Sequence, residues 1–190
     1  RFLQWRNSTP FGMTDPQFGL DVSFYTFELP FLKFLLGFAF AATFIALVLA
    51  VVVHYLFGGL RLQPKGDRAT TAAQVQISIT VAIFLFLKAI AYWVDRYGLV
   101  IQSSDLAGGF TGLQYTDVNA KIPALNILTF VALLVAVLFL FNAFRRQWII
   151  PLIGLALMVL TSVIVGGVYL LIVQHFQVRP TELGRERPYI

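Results

Sequence analysis

The stretch IPALNILTFVALLVAVLFLFNAF at residues 122–144 contains no charged side chain. Crossing the hydrocarbon core of a bilayer, ~30 Å thick, takes about 20 residues of α-helix. This stretch is longer than that, and nearly all of its side chains are apolar. It therefore predicts a transmembrane helix and sets the pattern to look for in the rest of the chain.

Three further apolar blocks reach a spanning length, at roughly 31–57, 72–94 and 148–173. Hydrophobic residues make up 58% of the 190 residues and charged residues only 12%, whereas soluble domains average about 45–50% and about 25%. So few charged groups could not cover a water-facing surface of this size. We predict an all-α integral membrane fold with four transmembrane helices.

Prolines and polar residues are expected to mark where these helices begin. Pro30, Pro123 and Pro151 fall at or near the first turn of a predicted span, where a missing N–H costs little. Thr116 and Asp117 are expected to cap the third span with their side-chain oxygens.

The distribution of basic residues predicts the orientation. Loops 58–71 and 145–147 are dense in Lys and Arg, whereas the longer loop 95–121 mixes basic residues with aspartates. Cytoplasmic loops carry an excess of Lys and Arg, so we place the first two inside and segments 1–30, 95–121 and 174–190 outside. The net charge of +5 is therefore assigned to membrane orientation, and we expect no nucleic-acid partner.

Residues 15–29 predict a short amphipathic helix before the first span. Asp15-Pro16 has the form of an N-cap followed by a proline at the first helical position. At helical spacing, Phe18, Val22, Tyr25 and Leu29 share one face. The pattern is typical of a helix that lies in the outer interface or packs on the other helices.

One charged residue lies inside a predicted span. Lys88 is about two turns from the outer end of the second span, and Tyr92 and Asp95 follow on the same helix face. Intramembrane charges tend to face protein, water or a partner. We expect Lys88 to pair with Asp95 or to extend towards the interface, and we keep a substrate or proton pathway as the alternative.

Small residues recur at helical spacing in the first and fourth spans. Such stripes let helices approach closely in lipid and predict contacts within the chain or with another chain. They are Ala42, Ala46 and Ala50 in the first span, and Gly154, Ser162 and Gly166 in the fourth.

No pattern in the sequence predicts a catalytic, cofactor or metal site. The chain has no cysteine, no HExxH pair and no phosphate-binding GxxxxGK[ST] loop. Its two histidines, His54 and His175, fall on opposite sides of the membrane in the predicted orientation. We therefore expect no enzyme activity in this chain.

Four ordered motifs carry a resemblance to a known family. They are Phe11-Gly12 with Asp15-Pro16-Gln17-Phe18-Gly19 and Asp21; His54-Tyr55 with Phe57-Gly58-Gly59; Lys88-Ala89 with Ala91-Tyr92-Trp93 and Asp95-Arg96-Tyr97; and Gly112 with Tyr115-Thr116-Asp117. Together they resemble an uncharacterised family of large bacterial, notably actinobacterial, integral membrane proteins. The resemblance implies seven N-terminal helices, of which this chain holds the last four, then a long extracytoplasmic domain. It also implies a plasma-membrane location.

These observations favour an anchor and assembly scaffold for the external domain or for a membrane complex. We expect its partners to be the lipid bilayer and other membrane proteins or further copies of itself. The alternative is part of a transporter or channel, with Lys88 near an outer vestibule. A third possibility is the membrane anchor of an enzyme whose active site lies outside this chain.

Overall fold

The computed structural model describes residues 1–61, 69–102, 113, 115–145 and 149–169. A short helix α1 (Phe2–Arg6) is followed by four longer helices: α2 (Leu29–Leu56), α3 (Thr71–Gly98), α4 (Ile122–Arg145) and α5 (Ile149–Val163). Including the turns that extend them, the four apolar helices run over Phe24–Leu56, Thr71–Ile101, Asp117–Arg145 and Ile149–Gly167. Each is long and apolar enough to cross a membrane, which confirms the predicted all-α membrane fold.

Pro30 and Pro123 lie in the first turn of α2 and α4, as predicted, but in both places the chain is already helical before that turn. One π-helical turn, Phe24–Glu28, precedes α2, and another, Asp117–Lys121, precedes α4. The next residue, Leu29 or Ile122, donates its N–H five residues back, to Phe24 or Asp117. The wider π turn accommodates a residue that lacks an N–H and clashes with the preceding turn. Pro30 and Pro123 each lie directly after such a turn.

The predicted amphipathic helix over 15–29 is wrong for residues 15–21, since only residues 22–29 are helical and they run directly into α2. Residues 11–21 form a compact loop, closed by a bridge between Thr14 and Asp21, and the helix begins only after it. Asp15 does cap, as its carboxylate accepts the N–H groups of Gln17 at 3.2 Å and Phe18 at 2.6 Å. However, Gly19 has a φ of +67°, a left-handed conformation that ends the turn at once.

The described residues form two compact units, and the first lies within Arg1–Leu36, Ile90–Thr129 and Thr161–Ile190. Its apolar cluster is centred on Tyr25, Leu29 and Val94, which are buried. The loop is held to α3 by aromatic contacts, with the Phe18 and Tyr97 ring centroids 4.9 Å apart. This packing explains why α3 continues past the predicted end at residue 94.

The second unit comprises residues 37–89 and 130–160. One face of α4 is buried there, through Ala132, Val135, Ala136, Phe139 and Ala143. Helix α5 packs on α4 at Gly154, where an added Cβ would lie 3.0 Å from Leu138 Cδ1 and 3.5 Å from Val135 Cγ1. Asn142 of α4 donates from Nδ2 to Ser78 Oγ of α3 at 2.9 Å.

The small-residue stripes are only partly used for packing. Gly154 is buried, whereas Gly166 has no atom within 4 Å of an added Cβ. In α2, Ala50 is buried, but Ala42 and Ala46 are exposed. Only 6% of the most apolar stretch of the α2 span is buried, against 39% for the α4 span. Helix α2 therefore presents a mostly uncovered apolar surface.

Candidate functional site

The polar side chains of the first unit gather around the C-terminal end of α3. Arg96 is buried and donates from a terminal guanidinium nitrogen to Asn126 Oδ1 of α4 at 2.8 Å. Its guanidinium carbon lies 3.4 Å from the centroid of the Trp93 ring, and its Nε donates to the Trp93 carbonyl at 3.2 Å. Cation–π stacking and a hydrogen bond to a charged donor are both strong in a poorly hydrated place. The hydrogen bond to Asn126 joins α3 to α4, and the two Trp93 contacts, which lie within α3, hold the guanidinium in place.

A second polar contact joins α3 to α2. The Lys33 ammonium lies 3.5 Å from Asp95 Oδ1, and both side chains are about half exposed. Lys33 reaches this position because Gly98 has no side chain, since a Cβ there would lie 2.6 Å from the Lys33 ammonium. An exposed ion pair contributes at most about 1 kcal/mol. This contact therefore orients the two helices more than it stabilises them.

A second ion pair lies at the start of α4. Lys121 approaches Asp117 Oδ1 at 2.7 Å, one helical turn away, and the Asp117 side chain is almost fully buried. The prediction that Thr116 caps this helix is wrong, because Thr116 is itself helical and makes no side-chain cap bond. Because the helix starts before Asp117, Asp117 and Lys121 lie one turn apart on it, and their side chains form an ion pair.

Lys33, Asp95 and Lys121 border a cavity of about 400 Å³, here named the Lys33 cavity. Its polar lining residues are Lys33, Asp95, Gln102 and Lys121, and its other lining residues are Gly98, Leu99, Ala124, Leu125, Leu128 and Gly166. A cavity of this size, apolar with a few converging polar groups, can hold a small ligand. Each of its two ammonium groups already lies beside a carboxylate, Lys33 beside Asp95 and Lys121 beside Asp117, so the lining does not favour a simple anion.

The predicted polar site is only partly brought together. Asp95 lines the Lys33 cavity, whereas Lys88 and Tyr92 are not among its lining residues. Tyr92 is half-buried, and its hydroxyl lies 3.4 Å from Ser162 Oγ of α5, a weak contact. Lys88 is half-buried and engaged in a contact. Its pairing with Asp95 stays a prediction.

Sequence reasoning missed the residues that join α3 to α4. Arg96 was counted only as a loop charge, and Asn126 lies in an apolar run. The available signal was the polarity of Asn126 inside that run, since buried amides are nearly always hydrogen-bonded. A partner for Arg96 could then have been sought at the same end of the third span.

The loop before α2 is held by a second aspartate. Asp21 accepts the N–H groups of Ser23 at 2.8 Å, Phe11 at 3.0 Å and Gly12 at 2.9 Å. These donors, Ser23 first, lower the pKa of the Asp21 carboxyl from 3.8 to about 2. The lowered pKa means that the folded loop favours the ionised carboxylate.

We expect this loop to loosen in acid. Because the folded pKa lies below the unfolded one, the stabilisation is complete above pH 3.8 and is lost as the pH falls through about 2. Hydrogen exchange, corrected for intrinsic rates, should show the protection of the Phe11 and Gly12 amides falling over this range. In Asp21→Asn the protection should be low already at pH 5 and change little with pH. Unchanged wild-type protection at pH 2 would contradict the assignment.

Four long apolar helices, with interhelix polar contacts among the described residues, define an all-α membrane domain. A family model matches residues 1–190, and the chain belongs to that family, the uncharacterised protein family UPF0182. This confirms the resemblance seen in the four motifs.

Relatives come from actinobacteria and are much longer than this chain. A UPF0182 protein of Streptomyces coelicolor is 50% identical over 191 residues, covering 100% of this chain and 19% of the relative. Relatives from Frankia alni and Thermobifida fusca are 49% and 50% identical, and each alignment covers 100% of this chain and 18% of the relative. The chain thus spans about a fifth of the length of these relatives. No solved structure matches significantly.

Proposed function

We propose that this chain is a non-enzymatic membrane domain of a bacterial plasma-membrane protein, acting as an anchor and assembly scaffold. The observation that carries the proposal is the buried Arg96, bound to Asn126 and stacked on Trp93. A scaffold needs its helices fixed relative to one another. Here a buried charged side chain of α3 forms a hydrogen bond with α4. It lies at the end of α3 that the charge distribution places outside, next to the proposed external domain.

Helix α3 contacts each of the other three spans through a polar pair in the first unit. Lys33–Asp95 links it to α2, Arg96–Asn126 to α4, and the weaker Tyr92–Ser162 contact to α5. Interhelix hydrogen bonds in membranes contribute about 0.6 kcal/mol on average, up to about 1.7. Arg96–Asn126 is a contact of this kind, and the Lys33–Asp95 ion pair and the Tyr92–Ser162 contact add weaker links that also oppose sliding of one helix against another.

The uncovered face of α2 is where we place the contact with other membrane helices. Ala42 and Ala46 are exposed and one helical turn apart, so a partner backbone could approach closely there. The proposed partner is another membrane protein or a second copy of this protein. This proposal rests on the exposure and spacing of the two alanines.

The test is mass spectrometry of the full-length protein, purified from native membranes in a mild detergent. We expect a stoichiometric membrane partner, and its yield should fall several-fold in Ala46→Leu. Ala41→Leu is the matched control, since Ala41 is an exposed alanine on a different face of α2. Purification as a monomer without any partner would contradict the assembly role.

The Lys33 cavity favours a second candidate, a transport or channel function with its outer vestibule there. In that case Lys33 and Lys121, which line the cavity, would contact the substrate. Lys88 does not line it and would act further along the pathway. Alternating access requires groups of helices to rock against one another. Flux through the reconstituted protein that disappears in Lys33→Met would favour transport over the scaffold.

A further inference from the structure

A second cavity lies in the second unit, where α4 ends and α5 begins. It has a volume of about 240 Å³ and is lined by Leu138, Phe141, Asn142, Arg145, Ile150 and Pro151. We name it the Arg145 cavity. Neither the proposed scaffold role nor the polar contacts of the first unit involve it.

The cavity combines one cation with apolar walls. Arg145 is exposed, and its guanidinium carbon lies 5.5 Å from the centroid of the Phe141 ring. Phe141 is 53% and Ile150 50% exposed, although both belong to helices long enough to span a bilayer. A free phosphate would bind the guanidinium but would gain nothing from contact with these apolar side chains. An amphiphile with an anionic headgroup would bind the guanidinium with its headgroup and contact the apolar side chains with its hydrocarbon chains.

The buried amide of Asn142 adds an independent observation. Asn142 is only 2% exposed, and its Nδ2 donates to Ser78 Oγ. Its Oδ1 accepts no hydrogen bond from any residue that the structure describes. A buried carbonyl oxygen without a donor is costly and calls for one. Asn142 lines the cavity, so a hydroxyl that enters the cavity would supply that donor.

We propose that the Arg145 cavity binds an anionic phospholipid whose headgroup carries hydroxyl groups. Its phosphate pairs with the Arg145 guanidinium, whose planar fork suits two phosphate oxygens. A headgroup hydroxyl donates to Asn142, and the acyl chains lie along Phe141 and Ile150. Basic pockets between membrane helices near a membrane surface are known to bind anionic headgroups in this way.

The test measures lipid retention by native mass spectrometry on the purified full-length protein, titrated with phosphatidylglycerol or phosphatidylcholine. We expect wild type to prefer phosphatidylglycerol, and Arg145→Gln to lose roughly five- to ten-fold in its association. Arg145→Lys should lose less, since it keeps the charge without the fork. Arg61→Gln is the matched control, because Arg61 is an exposed arginine that does not line the cavity.

A second variant keeps the arginine and changes the cavity wall. Ile150→Glu places a carboxylate beside Arg145, which should repel the phosphate and lower phosphatidylglycerol retention as strongly as Arg145→Gln. Ile150 is exposed in the first turn of α5, where a carboxylate at the membrane surface can reach water, so the substitution should leave folding intact, as circular dichroism can verify. Equal retention of the two lipids by wild type would overturn the proposal. So would full retention in both variants, or competition by millimolar inorganic phosphate, which would indicate a soluble anion.

Discussion

Replacing Arg96 by leucine should lower the free energy of unfolding by about 2–3 kcal/mol. The variant loses a charged hydrogen bond to Asn126, of about 1.5–3 kcal/mol, and a stacking contact with Trp93, of about 1–2 kcal/mol. Leucine partly offsets these losses because it is easier to bury than a guanidinium. Unfolding of the full-length protein in mixed micelles, titrated with a denaturing detergent, measures the change.

Two further variants separate this pair from a general effect of charge removal. Arg6→Leu removes an exposed arginine and should change stability by less than about 0.5 kcal/mol. A double-mutant cycle of Arg96→Leu with Asn126→Leu should give a coupling energy of about 1.5 kcal/mol or more. A coupling near zero would show that the hydrogen bond contributes nothing, and the fixed contact between α3 and α4 would have to be abandoned.

Replacing Gly154 by leucine should lower the free energy of unfolding by about 2–3 kcal/mol. Even a single added carbon at Gly154 comes within 3.0 Å of Leu138 Cδ1, and Val135 on the buried face of α4 lies just beyond. Inserting extra carbons into a packed interface forces side chains off their rotamers and moves the helix. The same unfolding titration measures the loss.

Gly37→Leu is the control for the same chemical change. Gly37 lies in α2, is exposed and has no atom within 4 Å of an added Cβ. Leucine also favours the helix over glycine, so the variant should be neutral or slightly stabilising. Equal losses at Gly37 and Gly154 would contradict the close packing of α5 on α4.

The sequence predicted the spans well because length and apolarity decide them. Helices in a bilayer must satisfy all their backbone hydrogen bonds internally, so an apolar block of about 20 residues leaves little choice of structure. The errors lie at the ends. Pro30 and Pro123 suggested helix starts, but a π turn before each allows the helix to begin earlier.

The loop before α2 shows why local patterns fail there. Asp15-Pro16 begins a turn as a helix would, and helical spacing places Phe18 and Val22 on one face. What ends the turn is the left-handed Gly19, and what fixes the loop is Asp21, which accepts N–H groups from nine and ten residues earlier. Such contacts depend on how the chain folds back on itself. The spacing of residues along a helix gives no information about that.

The polar contacts of the candidate site were the least predictable part. Lys88 was expected to pair with Asp95 or to extend towards the interface, and nothing in the sequence suggested that the Asp95 carboxylate lies beside Lys33 of another span. Arg96 and Asn126 are 30 residues apart in sequence. Pairings between helices depend on helix rotation and tilt, which packing sets, and packing is decided by shapes such as the close approach at Gly154.

The central claim, that these helices cross the bilayer in the predicted orientation, can be tested directly because the chain contains no cysteine. Single cysteines at Thr9, Arg61, Gln102 and Arg145 would be placed in the full-length protein, in a background without other cysteines. An impermeant thiol reagent applied to intact cells should label Thr9→Cys and Gln102→Cys. It should label Arg61→Cys and Arg145→Cys only after the membrane is permeabilised. Labelling of all four in intact cells, or the inverse pattern, would contradict the account.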